Sequence, residues 1–401
     1  MPVPIDVLHI PMVEDAAIVV DGVADEAAWA NAMVVPDLLA FQPVPDRAPT
    51  GETRAKIVAD RHGLHFFALA LDPEPDKIRA SAGRRDTRFD DDWVALWVDP
   101  SGEGQRQYIF VVNAANAQMD GVNPSGAPED YSWDGRWTSA VTRTSSGYTV
   151  EMTIPWRSIR HPRDAETVGL FVGRHIPRVN EKSLWPRLDV GVPGFIVQEG
   201  LVGGPGELPK STALALIPEL TFGWDSHGPA EGPLTAGGVS PGITAEWSPG
   251  AVQLLATANP DYSQVESDAA QIAINERYAL FYEEKRPFFT EGREWFTFPF
   301  TDDLVYTRSM VTPLYGARAT GEWGPLTVAA LQAVDQTPQQ SVTDAHDPHG
   351  NALPTWTSDD VDERLAVDSV LRIRQALGGD RSLGLVASNK AIAGTAWNSI
   401  V

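Results

Sequence analysis

Cysteine is absent from the 401-residue sequence, and this absence excludes several kinds of site at once. Without a thiol, the chain can form no disulfide, thiolate nucleophile, zinc–sulfur centre or c-type haem attachment. A complete lack of cysteine fits an oxidising, exported compartment. Long apolar runs are missing as well: no stretch of about 18 apolar residues occurs, so the sequence predicts no membrane-spanning helix.

Basic residues are few compared with acidic ones, 31 against 54, and the formal net charge is −23. Nucleic acid is therefore not an expected partner, because no basic excess is available to neutralise phosphates. The N-terminus, MPVPIDVLHIPMVED, has neither the basic start nor the apolar centre of a secretion signal. If the protein is exported, we expect its leader peptide to lie outside these 401 residues.

Short apolar or alternating runs, separated by turn residues, recur through the first half of the chain. They are TRAKIVAD (53–60), HGLHFFALALD (62–72), DWVALWVDP (92–100), RQYIFVVNA (106–114), RWTSAVTRT (136–144) and GYTVEMTIP (147–155). No long amphipathic helix interrupts them, so these runs predict an all-β sandwich. We interpret the glycine- and proline-rich residues 203–206 as a loop that ends this sandwich, and we predict a first domain over residues 1–210.

Residues 211–401 have a different texture, with strand-like runs that are rich in small residues. The most informative is LAVDSVLRIRQAL (365–377), whose alternate residues from Leu365 to Ile373 are mostly apolar, whereas Asp368, Arg372 and Arg374 face the other way. This pattern is typical of a transmembrane barrel strand, although a half-buried strand of a soluble sheet is the alternative for one strand alone. Further strand patterns run to the last residue. We therefore predict an incomplete antiparallel β-barrel-like region and expect the natural chain to be longer.

Two sets of motifs carry a family resemblance. IVVDGVADEAAW (18–29), HFFALALDPEP (65–75), DDDWVALWVDP (90–100), FVVNAANAQMDG (110–121) and VEMTIPWRSI (150–159) together resemble the family 9 carbohydrate-binding β-sandwich. WDGRW (133–137), NPDYSQVESD (259–268), EEKRPFFTEG (283–292) and YTR (306–308) are similar to a family of uncharacterised bacterial outer-membrane proteins that contain the domain of unknown function DUF5916.

The resemblance implies a sandwich followed by a β-barrel-like region in a carbohydrate-binding protein of the cell envelope. Its expected role is capture or uptake of glycans in a Gram-negative bacterium. The expected partners are a poly- or oligosaccharide and, through the C-terminal region, the outer membrane. The expected location is the outer membrane, the periplasm or the cell surface.

Sugar recognition needs flat aromatic faces and planar polar groups that pair with hydroxyls. Trp93 and Trp97 lie four residues apart on one strand face, so at least one of them is expected to fill the core. Trp133 and Trp137 lie in the polar segment EDYSWDGRW, where either a core or a binding role is open; we favour binding, because charged neighbours predict exposed indoles. The predicted carbohydrate-binding residues are Trp133, Trp137, Asp134, Arg85, Asp86, Asn113 and Asp120.

The run of three acids at Asp90, Asp91 and Asp92 offers the oxygen ligands that calcium prefers. No EF-hand spacing accompanies it. The family 9 resemblance also implies a structural Ca²⁺, so these three residues are the candidate ligands. No other cofactor is expected.

The acids of NPDYSQVESD and EEKRPFFTEG could form the carboxylate pair of a glycoside hydrolase, an alternative function in carbohydrate catabolism. The candidate acids and bases are Glu266, Asp268, Glu283 and Glu291. However, Arg286 can pair with acids such as Glu266 or Asp268, while Phe288 and Phe289 can anchor the segment against apolar walls. We therefore interpret residues 259–300 as a packed plug or linker and favour a protein that is not an enzyme.

Overall fold

A computed structural model of the protein describes residues 8–86, 90–125, 128–131, 133–162, 164–209, 214–222, 239–248, 252–260, 287–290, 295–296, 307, 310, 313–335, 365–377, 381–392 and 396–400. The chain divides into two compact units. The first comprises Met1–Ser211 and Ala376–Ser382, and the second comprises Thr212–Gln375 and Leu383–Val401. Both units are built of antiparallel strands, which confirms the all-β prediction.

Helical structure is limited to single turns in the residues that the structure describes. The α-helix α1 (Pro287–Thr290) has four residues, and none of the described helices is long and apolar enough to cross a membrane. The 3-10 turns are Ala27–Ala30, Pro75–Lys77, Trp156–Ser158, Pro177–Val179 and Ile196–Gln198.

Twelve strands build the described part of the first unit. They are β1 (Met33–Val34), β2 (Leu39–Gln42), β3 (Thr53–Ala59), β4 (Gly63–Leu71), β5 (Trp93–Asp99), β6 (Arg106–Asn113), β7 (Gln118–Pro124), β8 (Thr138–Thr144), β9 (Gly147–Pro155), β10 (Asp164–Ile176), β11 (Glu181–Trp185) and β12 (Gly200–Glu207). One sheet has the order β1-β3-β4-β9-β8. The other has the order β2-β11-β10-β5-β6-β7, with β12 also paired to β10.

The main core of the first unit is contributed by both sheets. Ile57 and Phe66 from the first sheet, and Leu96, Phe110 and Val172 from the second, belong to one buried apolar cluster. Burying these side chains removes apolar surface from water, which stabilises the fold by about 25 cal/mol for each Å² buried. This cluster is the interior of a β-sandwich, as the turn-punctuated strand pattern predicts.

A second apolar cluster covers the opposite face of the larger sheet. Trp97, Ile109, Phe171 and Leu184 are buried there, and Phe195 packs against them from the segment before β12. The central strand β5 is therefore buried on both faces. This explains why its sequence is a continuous apolar run instead of an alternation.

The predicted loop at residues 203–206 is wrong, because these residues lie inside β12 and pair with β10. Glycine is required where the two strands meet, since a Cβ on Gly204 would lie 1.9 Å from the carbonyl oxygen of Ala165. Gly206 has a φ of +82°, which other residues rarely adopt. The glycines permit a close and irregular strand pairing in place of a loop.

In the part of the second unit that the structure describes, eight strands form one sheet, in the order of the sequence. They are β13 (Leu214–Phe222), β14 (Val239–Trp247), β15 (Val252–Ala258), β16 (Pro313–Trp323), β17 (Leu326–Asp335), β18 (Ala366–Ala376), β19 (Ser382–Ile392) and β20 (Ala396–Ile400). Within the described residues this sheet is open, because β13 and β20 pair with their sequence neighbours and not with each other.

The sheet has one covered face and one exposed face. Along β18 the covered face includes Asp368 and Val370, which are buried, and the exposed face includes Leu371 and Ile373. The alternation predicted for residues 365–377 is confirmed. Phe288 and Phe289 of α1 lie in the apolar cluster that also contains Val370, so the predicted anchoring of this segment is confirmed as well.

Candidate functional site

One guanidinium group gathers three carboxylates at the β7 edge of the sandwich. Nη2 of Arg85 lies 2.7 Å from Oδ1 of Asp120 and 2.9 Å from Oδ1 of Asp134, and its Nε lies 3.4 Å from Oδ2 of Asp86. Four of the predicted carbohydrate-binding residues are therefore brought together. We call Arg85, Asp86, Asp120 and Asp134 the Arg85 cluster.

The backbone holds the Arg85 cluster in place. Asp120 lies on β7, and its other carboxylate oxygen accepts a hydrogen bond from the N–H of Gly135, whose carbonyl in turn accepts from Arg85. Asp86 adopts a left-handed conformation with φ of 60°, and its Oδ1 accepts the N–H of Asp120 at 3.1 Å. Aspartate tolerates this conformation better than most residues. The site is thus built before any ligand binds.

Burial and exposure divide the cluster into a fixed base and an open rim. The Asp120 side chain is fully buried, whereas that of Asp134 is 72% exposed. Burial raises the pKa of Asp120 to about 7, and its hydrogen bonds to Gly135 and Arg85 act in the opposite direction. Asp134 is the member best placed to accept hydrogen bonds from a hydroxylated ligand.

The prediction that Trp133 and Trp137 are both exposed is wrong for Trp137. Trp137 retains 6% of its exposure, belongs to the main core and meets the Phe110 ring edge to face at 5.3 Å. The guanidinium of Arg85 lies 5.8 Å from the centre of its ring. Charged neighbours did not exclude burial, because the chain directs this ring inward while the adjacent Arg136 points to solvent.

Trp133 is half-buried and remains accessible beside the cluster. Its ring contacts Tyr108 at 5.0 Å and Phe110 at 6.0 Å between ring centres. The ring lies directly over Gly135, where an added Cβ would come within 2.4 Å of it. Glycine at position 135 therefore allows Trp133 to fold back against the Arg85 cluster.

Asn113 does not belong to this site, and its predicted role in sugar binding is wrong. It is completely buried, and its amide donates to Oδ2 of Asp91 at 2.8 Å and to the carbonyl of Ser81 at 2.9 Å. Its oxygen accepts from the backbone N–H groups of Ala115 and Ala117. With these bonds made within the chain, Asn113 shapes the β6–β7 turn.

The predicted calcium ligands Asp90, Asp91 and Asp92 do not converge. Asp90 is exposed, with Oδ2 3.4 Å from Arg79, whereas Asp92 is buried and accepts the backbone N–H of Arg79 at 2.9 Å. Asp91 accepts from Ser81 and Asn113. Consecutive residues entering an extended strand point to alternate sides, so these three acids do not fit a calcium ion.

Three carboxylate oxygens do lie within 4.8 Å of one another in the Arg85 cluster, from Asp86, Asp120 and Asp134. The guanidinium already supplies them with positive charge through the contacts described above. A metal ion there would face the repulsion of a fixed cation. The donor set fits an arginine-centred ion-pair network better than it fits calcium.

A second group of aromatic side chains lies on the outer face of the larger sheet. Trp93 is half-buried, 6.5 Å from Trp97 and 5.4 Å from His175 between ring centres, while Phe195 stacks on Phe171 at 4.3 Å. The expectation that at least one of Trp93 and Trp97 is buried is confirmed by Trp97. Sequence reasoning missed His175 and Phe195, although the alternation along Phe171–His175 could have placed His175 on this face.

A carboxyl pair, the buried Asp99 and the partly buried Glu199, was also missed. The side chains of Glu199 and Asp99 share a hydrogen bond, and Oε2 of Glu199 accepts from the Gln107 amide at 2.7 Å. Burial raises the pKa of Glu199 to about 9, and the neighbouring Asp99 adds to the rise. Gly169 makes room for this carboxylate, since a Cβ there would lie 2.1 Å from it. No local motif announces a pair that is separated by so much sequence.

The four candidate hydrolase residues, Glu266, Asp268, Glu283 and Glu291, lie outside the described residues. Two arginines of the eight-stranded sheet hold the described residues of the predicted plug or linker, 259–300. Nη1 of Arg318 donates to the carbonyl of Phe288 at 3.1 Å, and Nη1 of Arg372 donates to the carbonyl of Trp295 at 2.6 Å.

Comparison with known proteins agrees with this architecture. Residues 20–174 match the model of the carbohydrate family 9 binding domain-like family, and residues 249–316 match that of the domain of unknown function DUF5916. The chain combines a family 9-like domain with a DUF5916 region. No curated protein sequence matches it.

Solved structures of low identity are similar to about half of this chain. A putative carbohydrate-binding protein from Bacteroides uniformis is 14% identical with a TM-score of 0.41, covering 49% of this chain and 98% of its own. A family 9 carbohydrate-binding module from Caldicellulosiruptor kristjanssonii in complex with cellotriose is 17% identical with a TM-score of 0.35, covering 49% and 94%. The glucose complex is 18% identical, with a TM-score of 0.35 and coverage of 49% and 95%.

Proposed function

We propose that the family 9-like unit binds carbohydrate, as a poly- or oligosaccharide, without hydrolysing it. The match of residues 20–174 to the carbohydrate family 9 binding domain-like family is the observation that carries this proposal. The rim of the Arg85 cluster is the proposed contact surface. There the exposed carboxylate of Asp134 binds Arg85, and the half-buried ring of the preceding residue, Trp133, lies over Gly135, whose backbone binds Asp120.

The two side chains supply the two interactions that sugars require. The Trp133 ring can cover the C–H surface of a pyranose, and the Asp134 carboxylate can accept two hydroxyl hydrogen bonds. Arg85, with a side chain 31% exposed, holds Asp134 in position and has further N–H groups for a ligand oxygen. Trp137 acts beneath the site as a core residue and is not proposed to touch sugar.

A glycan array with the full chain, followed by calorimetry on the best ligand, tests this assignment. Trp133→Ala should reduce affinity roughly ten- to a hundredfold, on the order of 1 to 3 kcal/mol, by analogy with base stacking on aromatic residues. Asp134→Asn should also weaken binding, whereas the matched control Asp164→Asn, at an exposed aspartate of β10, should not. Binding that survives both site variants but is lost in Trp93→Ala would move the site to the outer aromatic face.

We propose that the second unit, which contains the DUF5916 match, belongs to the outer membrane, as a β-barrel-like part that serves glycan capture or uptake. The exposed face of the eight-stranded sheet supports this, because large apolar side chains recur on strand after strand. They include Leu214, Leu216, Leu220, Ile243, Trp247, Tyr315, Trp323, Leu371, Ile373, Leu383 and Leu385. An apolar surface on this scale calls for a nonaqueous partner, and lipid chains fit it because the charged side chains lie on the covered face.

Flotation of the full chain with phospholipid vesicles tests the membrane assignment. A charged substitution on the exposed face, Leu371→Asp, should reduce the fraction that floats, because placing a carboxylate among lipid chains is unfavourable. Ser369→Asp, two residues earlier on the same strand face, shows how the fraction that floats changes when the carboxylate is placed at a second depth in the lipid. Full recovery of the unsubstituted chain in the aqueous fraction at low salt would refute a membrane role.

The alternative function, glycoside hydrolysis, has a direct test on the same ligand. Release of reducing ends by the full chain, abolished in Glu283→Gln or Glu291→Gln, would favour a hydrolase. We propose binding instead, because the segment between these acids packs Phe288 and Phe289 into an apolar cluster. A structural segment of this kind needs no catalytic acid.

A further inference from the structure

The connections of the eight-stranded sheet alternate between short and long. We call one end of the strands the short-turn edge, because three connections there are brief. They are residues 248–251 between β14 and β15, 324–325 between β16 and β17, and 377–381 between β18 and β19, with four, two and five residues. At the other edge, the connections 223–238, 259–312 and 336–365 have sixteen, fifty-four and thirty residues, and only the last turn there, 393–395, is brief. The two ends of the strands therefore differ in the length of their connections.

The chain enters this sheet at the short-turn edge. Leu214, the first residue of β13, pairs with Trp247, which is the last residue of β14 before the turn 248–251. Phe222, at the other end of β13, leads into the long connection 223–238. The residue at which the chain begins this sheet, Leu214, therefore lies on the short-turn side.

Aromatic side chains mark both ends of the exposed face. Trp247 and Trp323 lie at the short-turn ends of β14 and β16, and Tyr315 lies near the opposite end of β16; all three are about half exposed. Tyr315 and Trp323 are eight residues apart, which is about 26 Å along a strand. At a tilt of about 40° this spacing gives a height of about 20 Å, close to the apolar band of about 25 Å in outer-membrane strands.

We propose that the family 9-like unit faces the periplasm, on the same side of the outer membrane as the short turns. The inference rests on the membrane role proposed above. Outer-membrane strands are joined by short turns on the periplasmic side and by longer loops outside, and the chain from the N-terminal unit reaches β13 at the short-turn edge. The ligand is then a carbohydrate present in the periplasm, and the unit does not contact polysaccharide outside the cell.

The absence of cysteine makes this topology directly testable, because each introduced thiol is the only one in the chain. Three single variants of the full chain, exported with a secretion signal in a Gram-negative host, report the two sides. Val190→Cys is in the family 9-like unit, Arg381→Cys is in a short turn and Ser341→Cys is in a long connection. Both Val190 and Arg381 are exposed. Cells are treated with a membrane-impermeant maleimide before and after the outer membrane is permeabilised.

We expect Ser341→Cys to react in intact cells, and Val190→Cys and Arg381→Cys to react only after permeabilisation. The cysteine-free parent gives the background. If the protein is in the outer-membrane fraction and Val190→Cys reacts in intact cells, or if Val190→Cys and Arg381→Cys respond differently, the inference is overturned while the membrane role stands. If the protein is recovered as a soluble periplasmic protein, the membrane role itself fails, and the inference fails with it.

Discussion

Truncation of Trp137 to alanine should destabilise the family 9-like unit without contributing a direct loss of sugar contact. The ring is 6% exposed, packs edge to face on Phe110 and lies beneath the guanidinium of Arg85. Alanine would leave a cavity at the β7 edge of the core. It would also remove the aromatic floor of the Arg85 cluster, so part of any change in affinity would follow from the altered geometry of Asp134.

The expected size follows from burial. A Trp→Ala change in a core costs about 3 to 5 kcal/mol in the free energy of unfolding. For a unit of about 200 residues, each kcal/mol corresponds to about 2 to 4 °C, so the midpoint should fall by about 6 to 20 °C. Trp133 is half-buried, and its truncation should cost about half as much.

Thermal unfolding of the full chain, followed by near-ultraviolet circular dichroism, measures both variants under the same conditions. Trp137→Phe serves as the conservative control and should recover most of the midpoint, because it restores an apolar ring to the cavity. A Trp137→Ala midpoint equal to that of the unsubstituted protein would show that this ring does not fill the core. A larger drop in Trp133→Ala than in Trp137→Ala would reverse our assignment of the two rings.

Three further outcomes are expected. The pKa of Glu199 is raised in the folded state to about 9, so its contribution to the free energy of unfolding is fully present below the unfolded pKa of about 4.3 and is lost as the pH rises toward 9. Between pH 5 and pH 9, Glu199→Gln should therefore lose less stability than the unsubstituted protein in denaturant titrations. Parallel pH profiles of the two proteins would contradict this. Arg318→Met leaves the Phe288 carbonyl without its described donor, so amide hydrogen exchange at residues 288–290 should accelerate, and unchanged exchange would show that the arginine does not hold the segment. Residues 1–211 expressed alone should fold as an all-β protein by circular dichroism, and rapid proteolysis of that fragment would refute an independent unit.

Local sequence patterns determined the strands and their faces. Alternation over residues 365–377 predicted that Asp368 faces away from Leu371, and turn residues between apolar runs predicted most strands of the sandwich. The two phenylalanines of EEKRPFFTEG were predictable anchors, since adjacent aromatic residues bring much apolar area to one place. These inferences succeeded because strand periodicity is a local property of the chain.

The tertiary structure alone decided which polar residues share a site. Arg85 and Asp120 are 35 positions apart, and only the path of the chain before β5 brings the guanidinium to the inner face of β7. Trp137 was misassigned because side-chain direction in an irregular segment has no period from which to read it. Asn113, the last residue of β6, was misassigned because its amide is used by Ser81 and Asp91, which are distant in sequence. Glu199 obtains its neutral form from burial beside Asp99, across a sheet that the sequence around either residue does not specify. Composition within a few residues indicates what a side chain can do, but its direction and its distant neighbours determine whether it reaches a ligand, a core or another charge.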